Sequence, residues 1–170
     1  AIAGLQEYVP VTEVTLNVTE ANLKVGETVQ LTAIVAPDNA SQEVLWVSDA
    51  EGIASVDSAT GLVTANSAGT AIITATSTMN PEKKAQCTVV VTRDDTALDV
   101  AIKAAEEKIR EENFENKYTE ASKTALRENL ENAKLAKENA NLSVEDVKLV
   151  VDALNASIEE LQLKRSEERR

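Results

Sequence analysis

The sequence predicts a chain of two parts, an all-β sandwich of about seven short strands followed by an all-α bundle of three helices. Two observations support this prediction. Up to Thr92, apolar residues recur at every second position in short runs that Gly, Asn, Asp, Ser or Pro separate, which is the pattern of strands and tight turns. From Arg93 onward, Val and Thr give way to the helix formers Ala, Glu, Lys and Leu, and the apolar spacing lengthens to three and four residues.

The strands are predicted from the alternation of apolar and polar residues. No helical period lies between them, so we do not expect a parallel sheet. Trp46 shares a strand face with Val44 and should point inward as the largest core residue. Gly52, Gly61 and Gly69 lie at breaks, where a positive φ or a close backbone approach costs least. The predicted strand segments are 11–19, 29–35, 44–49, 53–57, 61–65, 68–75 and 85–92.

Three helices are predicted after the sandwich, because each apolar stripe needs a neighbour and short connections make neighbouring helices antiparallel. Thr96, Thr119 and Ser143 are the predicted N-caps, with Asp99 completing a weak capping box after Thr96. We expect residues 113–118 to form a loop. The stripes are Leu98, Ile102, Ala105 and Ile109 in the first helix, Leu126, Leu130, Ala133 and Ala136 or Lys137 in the second, and Val147, Val151, Leu154, Ile158 and Leu161 in the third.

The domain boundaries follow from these elements. We divide the chain into a lead-in segment (1–10), the sandwich (11–92), a short linker (93–96), the bundle (97–165) and a tail (166–170). Since a linker of about four residues is too short for a floppy tether, we expect a stiff, elongated pair of domains. No signal peptide opens the chain, and we expect it to be a fragment excised from a longer protein.

The charge and the composition exclude several classes of function. The chain has 17 Lys and Arg against 29 Asp and Glu, a formal net charge of −12, so its surface repels nucleic acid and anionic lipid. No apolar run approaches the roughly 18 residues that a membrane span needs. With no His and a single Cys, neither an intrachain disulfide nor a Cys-rich metal site can form. We expect a monomer with no nucleic-acid partner and no membrane insertion.

Each candidate site residue has a structural interpretation that we favour. Trp46 points inward, and Tyr118 should pack beside the cap of the second helix, so neither is expected to stack on a sugar. Cys87 lies at an inward strand position with no His to activate it. Neighbouring carboxylates such as Glu106 and Glu107 diverge by about 100° on a helix and do not converge on a substrate. We therefore predict no catalytic or cofactor-binding residue, and the expected core markers are Trp46, Cys87, Tyr118, Val151, Leu154 and Ile158.

We expect no cofactor, with calcium as the one alternative. The loops that carry Asp49, Glu51 and Asp57 offer the oxygen ligands that Ca²⁺ prefers, but their spacing matches no known calcium loop. No metal ligand is therefore assigned.

Six spaced blocks in residues 11–92 resemble the bacterial immunoglobulin-like domain, group 2. This resemblance implies an immunoglobulin-like sandwich that serves as an accessory module. The blocks are Lys24-Val25-Gly26-Glu27-Thr28, Pro37-Asp38-Asn39-Ala40, Trp46-Val47-Ser48, Ile53-Ala54-Ser55-Val56-Asp57, Gly61-Leu62-Val63-Thr64-Ala65 and Ala68-Gly69-Thr70-Ala71.

The helical part is similar to the FIVAR module, a small helical repeat of bacterial surface proteins. The similarity rests on Lys117-Tyr118-Thr119-Glu120-Ala121-Ser122, on Leu126, Leu130 and Ala133, and on the apolar seam of residues 147–161. Both resemblances imply secreted or wall-attached proteins of Gram-positive bacteria, often glycoside hydrolases or adhesins, and neither brings a catalytic motif.

The resulting interpretation is a non-catalytic accessory segment, a structural spacer with interaction modules, in a multimodular glycoside hydrolase. Its expected partners are neighbouring modules of the same polypeptide. The alternative is an adhesion module that binds carbohydrate or protein in a surface adhesin. An enzyme in its own right is a third hypothesis, which the missing His and the interior Cys oppose.

Overall fold

The computed structural model describes residues 8–163, which form nine strands and then four helices. The chain divides into two compact units at the bond between Thr92 and Arg93. The predicted fold class, an all-β sandwich followed by a helical bundle, is confirmed. Most of the predicted lead-in segment, the end of the predicted bundle and the tail lie outside the described residues.

The strands of the first unit form three sheets. The sheet orders are β1-β4, β2-β9-β8-β5 and β3-β7-β6. The inward side chains of all three sheets share one core, in which Val35, Val63, Ile73 and Val89 are fully buried. The bounds are β1 Glu13–Leu16, β2 Glu20–Lys24, β3 Thr28–Gln30, β4 Ala33–Ala36, β5 Val44–Ser48, β6 Ala54–Val56, β7 Leu62–Ala65, β8 Gly69–Ser77 and β9 Lys84–Thr92.

The predicted strand over residues 29–35 is two strands in different sheets, because β3 pairs with β7 and β4 pairs with β1. Asn17 lies beside the break. Its side-chain Oδ1 accepts a hydrogen bond from the Thr32 N–H at 2.8 Å, and its Nδ2 donates to the Gln30 carbonyl at 3.3 Å. The amide satisfies the backbone where the chain passes from one sheet to the other, so the alternation continues while the pairing partner changes.

Among the strands that the structure describes, no sheet is a parallel sheet, but one ladder is parallel. β2, which alternation did not predict, pairs in parallel with β9, and Ala21 lies opposite Val89. A parallel pair needs a long crossover, and the strands from β3 to β8 provide it without a helix. The other ladders between the named strands are antiparallel.

The second unit contains the three predicted long helices and one short helix. The bounds are α1 Thr96–Ile109, α2 Phe114–Lys117, α3 Glu120–Glu138 and α4 Val144–Glu159. The expectation of a loop over 113–118 is therefore wrong in part. Asn113 takes a left-handed conformation with φ 63°, and the next residue, Phe114, is buried in the bundle core. Burial of this ring fixes a single helical turn between the long helices.

The caps of α3 and α4 are confirmed. The Thr119 Oγ1 accepts a hydrogen bond from the Ser122 N–H at 3.5 Å. At α4, Ser143 and Asp146 form a reciprocal capping box, in which the Ser143 Oγ accepts from the Asp146 N–H at 3.1 Å. These caps satisfy N–H groups that have no partner inside the helix.

The predicted cap of α1 is wrong. Thr96 is the first residue of α1, and the capping position belongs to Asp95, whose side chain makes no capping bond. Instead, the Asp94 Oδ1 accepts hydrogen bonds from the Thr96 N–H at 3.1 Å and from its hydroxyl at 2.6 Å. Asp94, two residues before the helix, therefore bonds the first N–H of α1, a role that we predicted for Thr96.

The bundle core follows the predicted stripes, with Ala136 and not Lys137 on the buried side of α3. Lys137 lies at the surface, where its Nζ pairs with the Asp99 Oδ1 at 2.6 Å. Within residues 8–163, no helix combines the length and the apolar character that crossing a membrane requires. The buried apolar residues of this unit include Leu98, Ala101, Ala105, Phe114, Tyr118, Leu126, Leu130, Ala133, Ala136, Val147 and Leu154.

Candidate functional site

Trp46 and Cys87 lie in the sandwich core. The backbone of Gly61 lies directly against the indole, so the ring is not available to stack on a ligand. Cys87 is fully buried, and this burial, with a smaller effect of Glu20, raises the pKa of its thiol. A thiol that stays protonated is neither a nucleophile nor a metal ligand.

Tyr118 is enclosed in the helical unit by a cluster of charged and aromatic side chains. Its ring packs against Phe114 with 5.4 Å between centroids. The Nζ atoms of Lys117 and Lys108 lie 5.1 and 5.6 Å from the centre of the Tyr118 ring. The phenol donates to the Glu111 Oε2 at 3.2 Å. We call Lys108, Glu111, Lys117 and Tyr118 the Tyr118 cluster, and its contacts leave no ring face open for a sugar.

Glu111 is the titratable centre of the Tyr118 cluster. The Lys117 Nζ contacts its Oε1 at 2.7 Å and the Lys108 Nζ contacts its Oε2 at 3.0 Å. These hydrogen bonds, first from Lys117 and then from Lys108, lower the pKa of Glu111 to about 2. A carboxylate with this pKa holds no proton to give near neutral pH and is a poor base, so the cluster suits stabilisation and not acid–base catalysis.

Lys123 is a buried cation that our sequence interpretation missed. Its residue is 1% exposed, and its Nζ donates to the Glu115 carbonyl at 2.9 Å, to the Glu115 Oε2 at 2.9 Å and to the Glu120 Oε1 at 2.5 Å. These bonds, first to Glu120 and then to Glu115, raise the pKa of the Lys123 amine. The amine therefore stays protonated and is not a nucleophile. Its position three residues before Leu126, on the buried stripe of α3, was the available sequence signal.

Arg93, which we assigned to the linker, is a buried part of the helical unit. Its guanidinium donates to the carbonyls of Ala136, Asn139 and Leu142 at 3.0–3.2 Å, and its Nε pairs with the Asp95 Oδ1 at 2.5 Å. The C-terminal carbonyls of a helix have no partner inside the helix, and here an arginine satisfies them from outside. No local pattern in the sequence marks this role.

The neighbouring carboxylates Glu106 and Glu107 form separate ion pairs at the surface. The Glu106 Oε1 contacts the Lys134 Nζ at 2.8 Å, and these contacts lower the pKa of Glu106. Glu107 lies 3.9 Å from Lys103 one turn away. The two glutamates thus bind different cations and do not converge on a common point.

Two of the three acids weighed as calcium ligands, Asp57 and Asp49, use their carboxylates to accept hydrogen bonds from backbone N–H groups. The Asp57 Oδ1 accepts from the Ala59 N–H at 3.0 Å, and from the Thr60 N–H and hydroxyl at 2.7 and 2.8 Å. The Asp49 Oδ1 accepts from the Ile72 N–H at 2.7 Å. In the part of the chain that the structure describes, no three or more His, Cys, Asp or Glu residues group to hold a metal ion.

A groove of about 330 Å³ lies between the N-terminal parts of α1 and α4. Leu98, Val147 and Val151 form its apolar wall. Among its charged lining residues, Lys148 and Asp152 pair with each other at 3.2 Å, while Arg93 is bonded to Asp95 and Asp94 accepts from Thr96. The groove therefore offers apolar surface and a solvent-exposed ion pair, and not a nucleophile with an activating base.

Two glycoside hydrolases contain short segments that are similar in sequence to this chain. The chain is 49% identical over 73 residues to a lacto-N-biosidase of Bifidobacterium bifidum, covering 43% of this chain and 6% of that protein. It is 43% identical over 76 residues to a 3-O-alpha-D-galactosyl-alpha-L-arabinofuranosidase of Bifidobacterium longum subsp. longum, covering 44% of this chain and 7% of that protein. The chain thus spans less than a tenth of either relative.

The N-terminal domain of the group B Streptococcus alpha C protein superposes on 93% of this chain and 94% of that chain, with 13% identity and a TM-score of 0.39. The similarity of the helical part to a FIVAR module stays a prediction. Residues 10–89 match the sequence profile of the bacterial Ig-like domain, group 2, which is a non-catalytic domain.

Proposed function

We propose that the chain is a non-catalytic accessory segment of a larger bacterial protein that acts outside the cell, and that this parent protein is a multimodular glycoside hydrolase. The match of residues 10–89 to the bacterial Ig-like domain carries the proposal, together with the 49% and 43% identity to short segments of two glycoside hydrolases. The matched segments make up only 6% and 7% of these two relatives, which is the small share of length that an accessory module has in a multimodular enzyme.

The chemistry of the described residues favours an accessory role over a catalytic one. Trp46 and Tyr118 are buried in the two units, and the Glu111 carboxylate is held ionised by two lysines. A glycosidase needs one carboxylic acid with a raised pKa facing a second carboxylate across the substrate. Here the pKa values of Asp57, Glu106, Glu111 and Glu115 are lowered, because each of these acids accepts hydrogen bonds.

Within this proposal, the helical unit is a FIVAR-like module that supports and spaces neighbouring modules with the sandwich. The buried Arg93 joins the segment after β9 to the C-terminal end of α3, which gives the helical unit a defined start.

The test compares the parent protein with and without this segment on a soluble chromogenic glycoside. We expect kcat/KM to stay within about twofold, since no group of the segment would contact the reacting bond. A purified catalytic module that keeps its melting temperature but loses most of its kcat when the segment is removed would refute the proposal. The isolated chain is the matched control, and turnover of the same glycoside by this chain alone would refute it as well.

Localisation is tested on the producing bacterium. Antibodies against the chain should detect the parent protein in the culture medium or on the cell surface, and not in the soluble cytoplasmic fraction. Detection in the cytoplasm alone would refute the extracellular setting.

The binding module of an adhesin remains the second candidate, and one observation favours it. Leu45 and Val47 expose about half of their side-chain surface on one strand of the sandwich, where an internal spacer would gain nothing from apolar contact. If the isolated chain binds no glycan on an array but binds an extended peptide, the results would favour a module that binds protein.

A further inference from the structure

The strand β5 has one unpaired edge. It lies at the end of the four-stranded sheet and, among residues 8–163, it pairs with β8 alone. At the two ends of this ladder, the Thr78 N–H donates to the Glu43 carbonyl and the Asp49 N–H donates to the Ile72 carbonyl, both at 3.1 Å. Hydrogen-bonded and non-hydrogen-bonded pairs alternate along an antiparallel ladder. The residues that direct their backbone N–H and C=O away from β8 are therefore Val44, Trp46 and Ser48.

The outer face beside this edge is apolar. Leu45 and Val47 are 52% and 51% exposed, whereas Trp46 between them points into the core. Thr76 and Thr74 lie opposite them on β8 and carry no charge. An unpaired backbone edge next to exposed aliphatic side chains is a template for adding another strand.

Two other terminal strands of the sheets, β4 and β2, have protected edges, unlike β5. At β4, the Gln42 Oε1 accepts from the Val35 N–H at 3.2 Å and its Nε2 donates to the Val35 carbonyl at 3.0 Å, so this side chain occupies the place of a neighbouring strand. At β2, the exposed side chains of Glu20 and Lys24 carry charges. Blocking side chains and edge charges are the usual protection against strand addition, and β5 itself carries neither.

The charges at the ends of β5 select the partner. Glu43 and Asp49 flank the strand, both are exposed, and neither forms an ion pair with a described residue. A second copy that paired antiparallel about Trp46 would place its Asp49 opposite Glu43. Like charges directly opposite each other destabilise a strand pair, so a cationic segment fits this edge better than the chain itself does.

We propose that the free edge of β5 binds an extended, cationic peptide segment of a partner protein as a fifth strand of the sheet. Backbone groups of the segment pair with those of Val44, Trp46 and Ser48. Aliphatic side chains at alternate positions of the segment pack on Leu45 and Val47. A basic residue at each end faces Glu43 or Asp49. This binding goes beyond the accessory role and does not depend on which parent protein carries the chain.

The test titrates the full chain with a seven-residue peptide in which Val alternates with Thr and a Lys stands at each end. Amide shifts recorded by NMR should change along β5, and exchange of the Val44, Trp46 and Ser48 amides with solvent should slow. The same peptide with Glu at both ends should bind at least about tenfold more weakly, because it meets the two acids. No binding, shifts confined to the helical unit, or equal affinity for both peptides would each overturn the proposal.

Two variants separate edge binding from a general effect of charge. Val47→Lys adds a cation beside the edge and should lower the affinity about tenfold or more. Ile34→Lys is the matched control, because Ile34 is 54% exposed on β4 in another sheet, and it should bind as the unmodified chain does. Unchanged affinity of Val47→Lys overturns the proposal, as does a dimer of the free chain in sedimentation. If Val47→Lys does not fold, the shift map of the unmodified chain decides.

Discussion

Replacing Gly61 by alanine should destabilise the sandwich more than the same change at any glycine with open space around it. Gly61 has φ +74°, and an added Cβ would lie 2.7 Å from the Trp46 Cε2 and 2.8 Å from the Leu31 carbonyl oxygen. A side chain in this left-handed conformation costs about 1–2 kcal/mol. Forcing an extra carbon into a packed core costs about 1–3 kcal/mol more. Together these terms predict a loss of about 2–5 kcal/mol for Gly61→Ala.

Two other glycines separate the two terms. Gly26 has φ +91° but no atom within 4 Å of an added Cβ, so Gly26→Ala should pay the backbone term alone, about 1–2 kcal/mol. Gly52 has equally open space without a positive φ, so Gly52→Ala should be neutral or stabilise by up to about 1 kcal/mol.

The assay is urea unfolding followed by tryptophan fluorescence. Trp46 is the one tryptophan of the chain and lies in the sandwich, so its emission reports on this unit without a signal from the helical unit. The order of stability should be Gly52→Ala, then Gly26→Ala, then Gly61→Ala. Equal losses for Gly61→Ala and Gly26→Ala would show that contact with the Trp46 indole costs nothing, and the close approach would then not be the reason for a glycine at position 61.

Three further predictions concern single groups. The pKa of Glu111 is lowered in the folded chain from 4.5 to about 2, so its contribution to stability is present above pH 4.5 and is lost as the pH falls towards 2. Thermal unfolding followed by helical circular dichroism should show that Glu111→Gln melts at a lower temperature than the unmodified chain at neutral pH, and that this difference vanishes near pH 2. A difference that stays constant with pH would contradict this prediction. Ser143→Ala removes the α4 cap bonds with Asp146 and should cost the helical unit about 1 kcal/mol in urea unfolding, whereas an unchanged midpoint would show that water replaces the cap. Cys87 should react with a thiol reagent at the rate at which the sandwich opens, because it is fully buried; rapid labelling of the native chain would contradict its core position.

Local sequence signals predicted those parts of the fold that one segment decides by itself. Alternation along β8 and β9 identified strands whose inward residues are buried, as Ile73 and Val89 are. Thr119 and Ser143 were recognisable as caps because a cap acts on N–H groups only two or three residues away. The capping of α1 escaped prediction, since Asp94 and Thr96 offer competing local solutions and the structure uses the acid.

The sequence did not predict that β5 has a free edge, although its exposed aliphatic residues Leu45 and Val47 lay in the alternating pattern. Alternation shows which side chains point outward, but the order of strands in a sheet decides which strand has a free edge. Likewise, nothing near Gln42 in the sequence indicates that its amide occupies the edge of β4.

The sequence by itself determined the all-β and all-α halves, their buried faces and two of the caps, because periodicity and capping act over a few residues. Tertiary structure alone decided the parallel pairing of β2 with β9 and the burial of Arg93 and Lys123. Each of these depends on groups far apart in the chain or on separate segments, as when Arg93 meets carbonyls more than forty residues away. A charge is stable in the interior only where the folded chain brings its partners to it. The stripe position of Lys123 was a local sign of its burial, but no local pattern indicated the partners of Arg93.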